Sequence, residues 1–139
     1  MKHVVPILVC SCLLMTGCAT TSQRVLDSDQ SQVQLRSMQT RAFDTTDRDK
    51  MLRTIIATLQ DLSFVIQKTD SDLGTVTADK FVSNQALSMT VTIRPRGETQ
   101  LLVRASAQYG INPINNPATY QDFFNGLEKA IFLTAQQVE

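Results

Sequence analysis

The sequence predicts an α+β domain: an antiparallel sheet of about five strands with two helices packed on one face, in the order β-α-β-β-β-β-α. Three observations predict it. Two segments, near residues 52–62 and 120–131, repeat apolar side chains at three- and four-residue steps, so each is a helix with one apolar side. Between them lie segments in which apolar and polar residues alternate singly, the mark of strands with one buried and one wet face. The connections between those segments are short and rich in turn residues, and such connections join antiparallel neighbours.

The elements follow in chain order. Val33 to Phe43 has strand character, with either Met38, Thr40 and Ala42 or Gln39, Arg41 and Phe43 facing inward. Thr46-Asp47-Arg48-Asp49 fits a Thr-x-x-acid helix start, and Leu52, Ile55, Ile56, Leu59 and Leu62 form the apolar stripe of the helix it opens. Phe64-Val65-Ile66 and Thr75 to Phe81 are rich in β-branched and aromatic residues, and Thr69-Asp70-Ser71-Asp72 followed by Gly74 turns one into the other. The clearest alternation sets Leu87, Met89, Val91 and Ile93 against Ser88, Thr90, Thr92 and Arg94. Arg94-Pro95-Arg96-Gly97-Glu98 then turns into Leu101, Val103, Ala105 and Ala107, a second hairpin. Tyr109 to Asn116, with Gly110, Pro113 and three asparagines, reads as a loop. Asn116 as N-cap and Pro117 at the first helical position open a last helix whose stripe is Tyr120, Phe123, Phe124, Leu127 and Ile131, ending near Ala135.

The 139 residues suffice for one domain, and thirteen Lys plus Arg balance thirteen Asp plus Glu, so no net field draws the chain to nucleic acid. The amino terminus reads as a separate unit. Met1-Lys2-His3 is followed by an apolar run from Val4 to Met15, which as a helix rises roughly 18 Å, short of the ~30 Å hydrocarbon core. Residues 1–17 therefore read as a secretory signal and not as a membrane span. Ala19 to Gln32 is polar and Ser/Gln-rich, a flexible tether of roughly 20 Å r.m.s. span, and residues 33–139 form the single domain.

Leu14-Met15-Thr16-Gly17-Cys18 resembles the lipobox of bacterial lipoproteins, with Met15 at the place where the family usually has Leu. The resemblance implies cleavage after Gly17 and acylation of Cys18, and Ala19 at the second mature position implies sorting to the outer membrane of a two-membrane host. Three acyl chains, at about 0.8 kcal/mol per buried methylene, would make release negligible. The domain order resembles the helix-grip domains of a lipoprotein of the outer-membrane barrel-assembly machinery. Met38-Gln39-Thr40-Arg41-Ala42-Phe43-Asp44-Thr45-Thr46-Asp47, Leu59-Gln60-Asp61-Leu62-Ser63-Phe64-Val65-Ile66, Leu73-Gly74-Thr75-Val76-Thr77-Ala78 and Tyr120-Gln121-Asp122-Phe123-Phe124 are similar to short uncharacterised bacterial lipoproteins. That resemblance brings no catalytic residues with it.

Processing at Cys18 would remove the one histidine, His3, together with Cys10 and Cys12. Triads, Cys/His pairs, His-built zinc sites and an internal disulfide are then excluded, so the expectation is no enzyme, no cofactor and no metal. Asp44, Asp47 and Asp49 fit helix capping better than a metal loop, and Asp70-Ser71-Asp72 fits a turn. Tyr120, Phe123, Phe124 and Phe132 fit a core stripe better than a ligand pocket. What remains is surface. The open sheet face would carry Ser88, Thr90, Thr92, Leu102 and Ser106, and Arg94, Arg96 and Arg104 would add a basic patch for lipid phosphates or an acidic partner. The expected function is docking by an anchored accessory subunit at the periplasmic side of the outer membrane, in a transport, secretion or barrel-assembly complex. The alternative is a carrier holding a lipid or other apolar ligand between helices and sheet.

Overall fold

In the computed structural model, which describes residues 32–136, the alternation of Leu87, Met89, Val91 and Ile93 becomes the central strand of an antiparallel sheet. The elements are β1 (Thr40–Phe43), α1 (Arg48–Asp61), β2 (Val65–Asp70), β3 (Thr75–Val82), β4 (Gln85–Arg96), β5 (Gln100–Tyr109), β6 (Asn112–Pro113) and α2 (Pro117–Gln136). Across the sheet the strands run β1-β5-β4-β3-β2, with β6 also pairing β5, and every pairing is antiparallel. The fold is α+β. Residues before 32, including the expected signal, Cys18 and all but the last residue of the expected tether, lie outside the described residues.

Register places the core on one side. Val76 pairs with Val91, Ala78 with Met89, Val91 with Ala105 and Ile93 with Val103, so one face of three adjacent strands is apolar over these positions. Ile55 and Leu59 of α1 and Tyr120, Phe123, Phe124 and Leu127 of α2 cover that face, all of them fully buried. Each such side chain contributes about 1.5–3 kcal/mol by leaving water, which is what holds two one-sided helices on the sheet.

Three expectations are corrected. Residues 32–38 are helical, so the strand expected over Val33–Phe43 is cut to Thr40–Phe43. Leu35 and Met38 stand three apart, pack on the core from one side of that turn, and the Gln39 amide donates to the Leu35 carbonyl at 3.0 Å. Arg41 and Phe43 lie opposite Val103 and Leu101, which settles that Gln39, Arg41 and Phe43 form the inward set. The helix start is Asp47, whose carboxylate accepts from the Lys50 amide at 2.8 Å, and not Thr46. The segment read as a loop from Tyr109 to Asn116 contains β6, which pairs Asn112 with Tyr109 and Pro113 with Gln108.

The turns are built from local chemistry. Helix α1 ends in a Schellman arrangement: the Ser63 amide donates to Gln60 O and the Phe64 amide to Leu59 O, both at 2.9 Å, with Ser63 at φ 67° where glycine usually stands. Ser83 (φ 49°) and Asn84 (φ 63°) form the two-residue turn from β3 to β4, the geometry that matches strand twist. Between β2 and β3 the register shifts at Ile66 and Lys68, a bulge on the outer strand. Gly74 closes that hairpin at φ 63° with its carbonyl accepting from the Ile93 amide at 2.8 Å. A Cβ there would lie 2.7 Å from Arg48 Nη2, the atom that donates to Asp72 O at 2.6 Å. Gly74→Ala is therefore expected to cost about 1–3 kcal/mol, read as a lower urea midpoint at unchanged slope.

Candidate functional site: a basic groove on the open sheet face

The face of the sheet turned away from the helices carries the polar half of each alternation. Register sets Thr92 opposite Arg104, Arg94 opposite Leu102, Thr90 opposite Ser106, and Thr40 of β1 on the other side of Arg104. Arg36, from the helical residues 32–38, reaches the same surface. Together Arg36, Thr40, Thr90, Thr92, Arg94, Leu102, Arg104 and Ser106 line a groove of about 380 Å³. Three guanidinium groups, four hydroxyls and one apolar side chain make the wall, and no carboxylate is in it.

The wall residues are held by their strands, and Arg36 by the helical residues 32–38, and not by a partner of opposite charge. Among the described residues the one ion pair is Arg41 with Glu128, at 2.6 Å on the helix side. Arg104 Nη2 donates to Gln39 Oε1 at 3.3 Å, which leaves its other donors facing the groove, and Ser106 Oγ donates to Thr90 O at 3.4 Å. Like charges held together without counter-charges repel one another, and the cost falls when an anion enters. Guanidinium groups with hydroxyls beside them present several N–H and O–H donors at once, a donor set for carboxylate or phosphate oxygens and for no reaction by itself.

Of the six residues singled out from the sequence for a partner surface, Thr90, Thr92, Arg94 and Arg104 meet in this groove. Ser88 and Arg96 do not line it. Ser88 Oγ donates to Asp79 Oδ1 at 2.6 Å, and Arg96 sits at the far end of β4 opposite Gln100. Arg36 and Thr40 were missed, because reading 33–43 as one strand placed Arg36 along an edge. The three-residue step from Leu35 to Met38 was the signal that could have found it.

The other candidates are placed as follows. Asp44 Oδ1 accepts from Gln100 Nε2 at 2.5 Å, Asp47 caps α1, Asp49 lies in its first turn, and Asp70 Oδ1 accepts from the Leu73 amide at 2.9 Å. Among the described residues no three His, Cys, Asp or Glu side chains are grouped to hold a metal ion. Tyr120, Phe123 and Phe124 are fully buried in the layer between α2 and the sheet, whereas Phe132 is 63% exposed. No described helix is long and apolar enough to cross a membrane. The sequence matches no family model, and no curated protein is significantly similar to it.

Proposed function

We propose that the chain is a membrane-anchored, non-catalytic accessory lipoprotein of a bacterial envelope complex, held by an acylated Cys18 on the periplasmic side of the outer membrane. It acts by docking, and the open sheet face is its contact surface. The observation that carries this reading is the groove: Arg36, Arg94 and Arg104 converge on a surface that neither helix covers and that has no carboxylate of its own in the wall. Electrostatic complementarity of this kind steers encounter and selects partners, so the partner presents carboxylates or other anions at the matching place. The signal-like run over residues 4–15 and Cys18 after Gly17 support the anchor.

The test compares native lipoprotein with an Arg94→Glu, Arg104→Glu double variant, each purified from membranes by affinity. The wild type is expected to return one stoichiometric envelope protein, with retention falling as salt rises, and the double variant is expected to lose it. Intact mass of both must show the acylated N-terminus at Cys18, and Cys18→Ser must leave the membrane fraction. Recovery of the wild type without any stoichiometric envelope partner, or equal recovery with the charge-reversed variant, overturns the docking reading. A wild-type N-terminus free of acyl mass overturns the anchor.

A further inference from the structure

One end of the domain is poor in charge. From Phe81 to Ile93, and again from Ala105 to Gln121, every residue is uncharged, although charged residues make up 19% of the chain. The fold brings these two stretches together. Phe81 pairs with Ala86 across the β3–β4 turn, Leu87 pairs with Tyr109, and Tyr109 pairs with Asn112 across the turn that holds Gly110 and Ile111. The two hairpin tips are thus neighbours at the same end of the sheet. Each presents one large apolar side chain to solvent, Phe81 at 81% and Ile111 at 92% exposure. Of the charges nearest the tips, Lys80 Nζ donates to Leu62 O at 3.1 Å and lies over the Phe64 ring, Asp79 is held by Ser88, and Asp122 lines a pocket with Lys80, Leu62 and Phe64.

The chain comes into β1 from the direction of this end, out of the helical residues 32–38. Strand β1 runs antiparallel to β5, and the residue before it, Gln39, accepts from the Ala105 amide at 2.8 Å, so the path back from Thr40 leads toward the tips. The tether expected from the sequence, about fourteen residues of roughly 20 Å r.m.s. span, leads from there to Cys18. A domain hung from a bilayer on so short a lead turns to the lipid the end with the fewest charges to desolvate.

We infer that the paired tips, through Phe81 and Ile111, rest in the headgroup layer of the membrane and orient the domain on it. This rests on the anchored-lipoprotein reading. Exposed apolar side chains beside neutral Ser, Asn and Gln enter the boundary between headgroups and acyl chains at low cost, because no ion loses its water. The basic groove, on the flat side of the sheet, stays free for a partner.

The chain contains no tryptophan, so single reporters have no background. The full acylated chain carrying Phe81→Trp, Ile111→Trp or Phe132→Trp is reconstituted in phosphatidylethanolamine and phosphatidylglycerol vesicles, with and without bromine on the acyl chains. Phe132 is the control, one residue beyond Ile131, which with Ala135 borders Asp44 and Asp47 at the opposite end. Expected are blue-shifted emission and several-fold stronger bromine quenching at positions 81 and 111 than at 132. If the chain floats with the vesicles and all three reporters quench alike, the tip inference fails and the anchor stands. If the unacylated chain floats with the vesicles as fully as the acylated one and Phe81→Trp still shifts, the tip inference holds and the anchor fails. Two tip positions, each checked by far-ultraviolet circular dichroism, guard against one misfolded variant.

Discussion

Replacing Phe124 by alanine is expected to lower the unfolding free energy by about 3–5 kcal/mol, a large part of the ~5–15 kcal/mol that holds a small domain folded. Phe124 is fully buried and meets Phe123 edge to face at 5.1 Å between ring centroids. The Arg41 guanidinium also lies 4.9 Å from its ring centre, and the same group is bonded to Glu128 at 2.6 Å. The void left by truncation is walled by a sheet on one side and a helix on the other, and neither can move in without losing register. At roughly 4–8 °C per kcal/mol the melting temperature falls by more than about 10 °C. Phe132→Ala, on an exposed side chain of the same helix, is expected within about 0.5 kcal/mol of wild type. Equal losses for the two variants in urea titration would refute the packing account.

The second large effect is at a hydroxyl. Tyr120→Phe is expected to cost about 2–3 kcal/mol, because three polar groups lose their partner in a buried place. Tyr120 Oη donates to Ile114 O at 2.6 Å and accepts from Gln39 Nε2 at 3.1 Å and the Ala107 amide at 3.4 Å. The Ala107 amide is the revealing one. On that side of β5 the Ala105 amide still finds Gln39 O, but beyond it the chain of 32–38 has turned helical and offers no strand. The tyrosine hydroxyl fills the gap between β1 and β6. Amide hydrogen exchange should therefore accelerate at Ala107 in the variant while Ala105 stays protected; equal protection at both would sink the explanation.

The same gap explains what was legible in the sequence and what was not. Strands β4 and β5 could be read from Leu87 to Ala107 because a sheet wet on one side imposes a period of two, and the polar half of that period already named Thr90, Thr92, Arg94 and Arg104. Residues 32–38 were ambiguous: Val33, Leu35 and Met38 satisfy a strand or a helix over so short a run, and only packing of Leu35 and Met38 on the core decides. Misreading them hid Arg36, the third cation of the groove. Strand β6 carries no pattern of its own; Asn112 and Pro113 become a strand only because the turn at Gly110, at φ 57°, lays them beside β5. Asp47 took the capping role from Thr46 because its carboxylate, and not the threonine hydroxyl, reaches the Lys50 amide.

The shifted register at Ile66 and Lys68 has a bearing on crowding. Molecules confined to a surface meet one another far more often than molecules in solution, and a straight, bare sheet margin invites copies to zip into fibres. Here the margin is kinked in its middle, so a neighbour's row of amides and carbonyls falls out of step, and the exposed Lys68 sets like charge against like. A chain tethered as proposed can then accumulate in two dimensions without polymerising through its own backbone.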